Sequence, residues 1–146
     1  MTTITATGTI FLNYDGNVNY SLNGGTTYTP ITSWPTTVIN NTPDMSTLLI
    51  VYFVTNITLS SYAEYFIIGS DYITWNGQSN TITIDYVQNY RGVFSNYATP
   101  IYIHTIIENI GVLVASSDTQ TTLAQSSGWV CQYNSYAVVT LSLIHI

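Results

Sequence analysis

From Thr47 onward, no window of helix length holds its apolar residues at helical spacing without fitting simple alternation equally well. Short apolar runs follow one another instead: LLIVYFV, ITLSS, YFIIGS, YITWNG, TITIDYV and GVFSN, cut by Asn, Gly, Ser and Asp. Runs this short, rich in β-branched and aromatic residues, suit strands packed on a pleated surface. The chain is therefore expected to be all-β with almost no α-helix.

The runs also repeat. Set above IYIHTIIENIGVL, the segment ITIDYVQNYRGVF aligns at a shift of 19 residues (101 − 82), with Ile82 on Ile101, Ile84 on Ile103, Val87 on Ile106, Gly92 on Gly111 and Val93 on Val112. A third copy is expected to begin at SSGWVCQY, where Gly128 follows Gly111. Repetition at about this period is the mark of a solenoid in which each coil buries one face against the next. Coils near 20 residues built from three short strands resemble a right-handed parallel β-helix. A β-sandwich with regularly spaced turns is the alternative.

Ahead of these coils, residues 8–31 read as strand, turn, strand, turn, strand: GTIFLNY, Asp15-Gly16-Asn17, VNYSL, Asn23-Gly24-Gly25, TTYTPI. Asp-Gly and Asn-Gly provide the positive-φ residues that tight hairpins need, so a β-meander is expected. SLNGGTTY within it resembles the Asp-box hairpin of sialidases and related propellers, with Asn23 for Asp and Tyr28 for Trp; in those families the box is structural. The expected organisation is a hairpin or capping region over residues 1–46 and β-helix coils over 47–140. Residues 141–146, LSLIHI, match the translation of a transposase end sequence used in DNA-library preparation, and are expected to be an adapter-derived tail outside the fold.

Composition narrows the function classes. Charged residues are only 5% of the chain, Arg91 is the one Lys or Arg, and the net charge is −6. Nucleic-acid binding, which depends on Lys and Arg contacts to phosphate, is not expected, nor is attachment to an anionic membrane. No signal peptide is visible, and the longest apolar run is far short of a spanning helix. The single cysteine, Cys131, cannot form an internal disulfide and reads as a buried strand thiol.

Taken in order, YSLNGGTTYTPITSWPTTVIN, IVYFVTNITLSS, YFIIGSDYITWNG, TITIDYVQNYRGVF and SSGWVCQY resemble the N-terminal part of a family of right-handed parallel β-helix (pectin-lyase-like) proteins of large DNA viruses and marine metagenomes. Arg91 and Ser127 depart from its pattern, which has Pro and Gly there. The resemblance implies a β-helix and a virion or extracellular-surface setting. It brings no activity, cofactor or catalytic residue with it.

Enzymatic chemistry must then be sought among the residues themselves. Glycoside hydrolysis needs two carboxyl groups flanking the bond, and the candidates are Glu64, Asp71, Asp85, Glu108 and Asp118. The 19-residue shift lays Asp85 over His104 and Asn89 over Glu108, an expected acid/base neighbourhood or else a polar stack at a corner. No nucleophile elbow, phosphate loop or zinc motif is present, so no catalytic, cofactor or metal residue is assigned. Asn40-Asn41-Thr42 and Asn56-Ile57-Thr58 have the spacing of glycosylation acceptors, but equally that of Thr-rich turns. Thirteen tyrosines and three tryptophans in a charge-poor chain suit stacking on sugar rings or protein partners. The expected function is a non-enzymatic structural or adhesive β-solenoid of a surface or fibre, contacting glycans or other surface proteins. A polysaccharide-processing β-helix lyase or glycoside hydrolase is the alternative.

Overall fold

Apolar residues at alternate positions make strands such as Leu49–Phe53 and Thr81–Ile84 two-faced ribbons, and the inward face decides the architecture. The computed structural model describes residues 2–34, 37–41, 47–96, 102, 104–115, 117–124, 128–132, 138–140 and 143–144. Among them the chain is all-β, without helix, and no helix is long and apolar enough to cross a membrane.

Three sheets carry the structure. The first contains β1 (Thr2–Ala6), β5 (Thr37–Asn41), β8 (Phe66–Ile68) and β11 (Phe94–Ser95), all paired parallel. In the second, β2 (Thr9–Tyr14), β6 (Leu49–Phe53), β9 (Ile73–Asn76), β12 (Ile106–Glu108) and β14 (Val138–Thr140) are likewise parallel. The third consists of β7 (Ile57–Leu59), β10 (Thr81–Ile84), β13 (Gly111–Val114) and β15 (Leu143–Ile144), again parallel. From β5 to β13 the chain visits the first, second and third sheets in that order, three times over.

Inward residues from all three sheets meet in one core: Ile39, Phe66 and Phe94 from the first, Leu12, Val51 and Trp75 from the second, Leu59, Ile84 and Val112 from the third. In β6 the alternation is complete, with Leu49, Val51 and Phe53 buried and Ile50 and Tyr52 partly exposed. Phe66 is the hub of the aromatic interior, with ring centroids 5.8 Å from Phe53, 5.5 Å from Trp75 and 6.0 Å from Phe94. The Trp75 indole N–H is buried there without a hydrogen-bond partner.

The expected meander is present and joins this system at an edge. β2 pairs antiparallel with β3 (Val18–Ser21), and β3 with β4 (Thr29–Pro30), so the hairpins extend the second sheet beyond β2. The motif residues close the second turn: Ser21 Oγ donates to Asn23 Oδ1 (2.8 Å) and accepts from Gly25 N–H (2.9 Å), while Asn23 Oδ1 accepts from Thr27 N–H (3.0 Å). β1 and β2, inside the segment 1–46, pair with β5 and β6 as later strands pair with one another; the boundary at residue 46 lies outside the described residues.

The 19-residue register is corrected. Ile82 sits between Ile57 on one side and Val112 on the other, steps of 25 (82 − 57) and 30 (112 − 82) residues. Both edges of β10 are thus occupied by other partners, and Ile101 and Ile103 lie outside the described residues. Gly92 does not correspond to Gly111 in space: a Cβ on Gly92 would lie 2.5 Å from the Gly128 carbonyl oxygen, and its φ is +117°. The segment containing Gly128 runs beside β11 through Phe94 N–H to Val130 O (2.9 Å) and Gln132 N–H to Phe94 O (2.9 Å). The false register has a simple origin. Val93 precedes the first sheet and Val112 belongs to the third, and strands on different sheets share the same period-2 pattern, so the shift aligns one face with another.

Of residues 141–146, Leu143 and Ile144 pair in parallel with Gly111 and Val112, while Leu141, Ser142, His145 and Ile146 lie outside the described residues.

Candidate functional site

The connections from third to first sheet, residues 60–65 and 85–93, carry the exposed aromatic side chains Tyr62 and Tyr86 beside Glu64. Residues 60–65 turn through Glu64 N–H to Ser61 O (3.0 Å) and are held by the Tyr90 hydroxyl, which donates to Glu64 O (2.8 Å). Tyr90 itself is fully buried, and burial pushes its phenol pKa far up, so it stays a donor. Glu64 shares with the turn of the first hairpin the lining of a cleft of about 450 Å³, whose walls include Tyr14, Ile31, Trp34, Thr58 and Ser60. Trp34 is fixed in this wall by an edge contact to Phe66, 5.5 Å between centroids at 71°. Burial raises the Glu64 carboxyl above its ordinary 4.5, partly offset by the Ser60 N–H.

Ser60 also borders a second, more open hollow of about 490 Å³, which Tyr62, Tyr86, Gln88 and Gln120 help to line. Tyr62 and Tyr86 are 58% and 51% exposed, which leaves their rings available to a ligand. Arg91 stands over the rings of Tyr62 and Tyr65, 6.0 and 5.4 Å from their centroids. Among the described residues lining the two hollows, Glu64 is the one charged group.

The other carboxylates are dispersed. His104 pairs with Asp71, not with Asp85: Nδ1 lies 2.8 Å from Oδ2, and the His104 N–H donates to Oδ1 (2.8 Å). The imidazole stacks on Tyr72 at 4.3 Å and 11°. Asp71 is held below its ordinary value: desolvation opposes this, but the His104 ring and the N–H groups of Tyr72 and His104 outweigh it. Glu108 lies beside Asn76, not Asn89, and accepts from its amide at 3.4 Å. Asp85 donates its backbone N–H to Leu59 O (2.9 Å).

Asp118 organises a turn. Its oxygens accept from the N–H groups of Tyr86 (2.7 Å), Gln120 (2.9 Å) and Thr121 (3.0 Å) and from the Thr121 hydroxyl. Against the desolvation that would raise it, the Thr121 hydroxyl and those N–H groups bring its pKa down to about 2.

Burial lifts the Cys131 thiol to about 11, which leaves it protonated and unreactive at neutral pH. Asn41 of the first acceptor-like triplet is buried and donates to Thr47 O (2.8 Å) and Tyr72 O (3.1 Å). In the second triplet, Asn56 Oδ1 accepts from Thr81 N–H (2.9 Å). Among the described residues, no group of three or more His, Cys, Asp or Glu could hold a metal.

Sequence reasoning named Glu64 as one carboxylate of five and did not connect it with Trp34. Thirty positions separate them, and only the meeting of the first hairpin's turn and the chain after β4 with residues 60–65 makes them neighbours. Comparison with known proteins adds nothing to this geometry: no family model, no curated protein and no solved structure matches the chain.

Proposed function

We propose that the chain is a non-enzymatic structural or adhesive β-solenoid of the right-handed parallel β-helix type, part of a virion or cell-surface fibre that contacts glycans. The observation that carries this reading is the repeated order of three parallel sheets around a single core. Successive passes stack parallel strands as coils would, whereas a β-sandwich is built from antiparallel pairs. Outside the core the chain offers Tyr, Thr, Ser and Asn with very little charge, a surface suited to hydrogen-bonded contact with polyhydroxylated ligands.

Glu64 is the one feature favouring a polysaccharide-processing enzyme, since a half-buried carboxyl with a raised pKa is what a general acid requires. Hydrolysis needs a second carboxyl group across the bond, and no other described carboxylate lines the cleft. The test is retention of the purified chain on immobilised polysaccharides, with assay of the eluate. Retention without release of reducing ends or unsaturated uronides is expected. Time-dependent release of either product would replace the adhesive reading with the enzymatic one.

A further inference from the structure

Ser60 lines both hollows, which makes them adjoining halves of one surface groove. At about 450 and 490 Å³, each falls within the ~300–1,000 Å³ usual for small-ligand sites. The groove combines aromatic rings (Trp34, Tyr62, Tyr86) with hydroxyls (Thr58, Ser60) and one carboxyl, Glu64. A pyranose ring matches this mixture, because its C–H face stacks on an aromatic while its rim of hydroxyls needs donors and acceptors.

Charge selects among sugars. The described lining holds no cationic side chain and the chain as a whole carries −6; the one Lys or Arg, Arg91, is engaged over the Tyr62 and Tyr65 rings, so the lining itself meets a uronate or sulfated glycan with the Glu64 carboxyl and no cation. An uncharged ligand avoids that cost, and Glu64 can accept from its hydroxyls when ionised or donate when protonated.

We propose that this groove is the binding site for an uncharged oligosaccharide, one ring stacking on Trp34 and hydrogen-bonded to Glu64 and Thr58, and the following rings crossing Ser60 to Tyr62 and Tyr86. The inference rests on the adhesive, glycan-contacting reading and gives it a site and a ligand class.

The test is calorimetric titration of the full chain with short neutral gluco- and manno-oligosaccharides, against oligogalacturonides of equal length. The same titrations are run on Trp34→Ala, Glu64→Gln, Tyr86→Ala and, as a control at a different corner, Tyr72→Ala. Binding of a neutral series is expected, weakened about tenfold by Trp34→Ala or Tyr86→Ala, less by Glu64→Gln, and unchanged by Tyr72→Ala. Trp34 braces Phe66, so thermal melts accompany each variant; Tyr86→Ala and Glu64→Gln decide the matter if Trp34→Ala unfolds. Preference for the galacturonides, or neutral binding that none of the groove variants weakens, overturns the site. In the second case retention on polysaccharide persists and the adhesive reading stands without it. Absence of binding to either series, with retention on immobilised polysaccharide intact, also overturns the site alone, whereas loss of retention as well removes both.

Discussion

The hairpin extension and the parallel strands behind it are both β-structure, yet different forces hold them. In the hairpins, Ser21, Asn23 and Thr27 bond one another and their own turn across two to four residues, and Asn19 reaches Asn13 and Asp15 across six and four. The parallel body also has side-chain bonds that span much greater separations: Asn80 Nδ2 to Phe53 O across 27 residues, Tyr90 Oη to Glu64 O across 26, Asn41 Nδ2 to Tyr72 O across 31. The first kind of structure can form from a few residues of chain. The second closes long loops before any contact rewards it, and its stability must come from the shared core.

Mutations can break or sharpen this contrast. The largest effect belongs to the aromatic hub: Phe66→Ala should lower stability by ~3–5 kcal/mol in chemical denaturation, because the first and second sheets lose a common packing partner at the centre of the shared core. The loss should be global, seen equally by near-UV and far-UV circular dichroism. A local effect confined to one sheet would show that the three do not share a core.

Next is Gly92→Ala, where the new methyl meets the Gly128 carbonyl and the backbone sits at φ +117°. A loss of at least about 2 kcal/mol is expected, read by the same denaturation. A neutral result would mean that the segment containing Gly128 is not seated beside β11.

On the hairpin side, Asn23→Ala removes the acceptor that orders the turn and should cost about 1 kcal/mol. Hydrogen exchange should quicken at Gly25 and Thr27 and stay unchanged in β6, β9 and β10. Equal acceleration in those strands would join the two regions into one cooperative unit.

The smallest effect concerns acid. Asp118 titrates at about 2 when folded against its ordinary 3.8, so its stabilising contribution is complete above about pH 4 and disappears as the pH falls towards 2. Asp118→Asn should flatten that part of the melting-temperature profile while leaving the slope due to Asp71 and Asp15, which are also held low. An unchanged acid slope would show that the turn at Asp118 does not depend on its charge.

The sequence by itself determined the strand-rich class and the two tight turns at Asp15-Gly16-Asn17 and Asn23-Gly24-Gly25, because each follows from residue chemistry acting over a few positions; Cys131, expected as a buried strand thiol, is only partly buried and pairs with Phe94 in an isolated bridge. The recurrence of short apolar runs was also legible, but not which run pairs with which. Ile82 and Ile84 carry an alternation that fits Ile101 and Ile103 on paper as well as it fits Val112 and Val114 in space. A period of two repeats on every sheet, and the distance from one pass to the next is set by corner lengths that burial does not constrain.

For the same reason, only the tertiary structure gave His104 to Asp71 and Glu108 to Asn76. The groove is tertiary throughout. Trp34 belongs to the chain just after the hairpins and Glu64 to a corner between sheets, and neither marks the other in sequence. Their proximity arises because the turn end of β2 is tied to the chain just after β6 through Tyr14 N–H to Thr55 Oγ1 (2.9 Å) and Val54 N–H to Leu12 O (2.9 Å). Local patterns write strands and turns; which side chains face each other across a cleft is fixed only when the long loops close and the core fills.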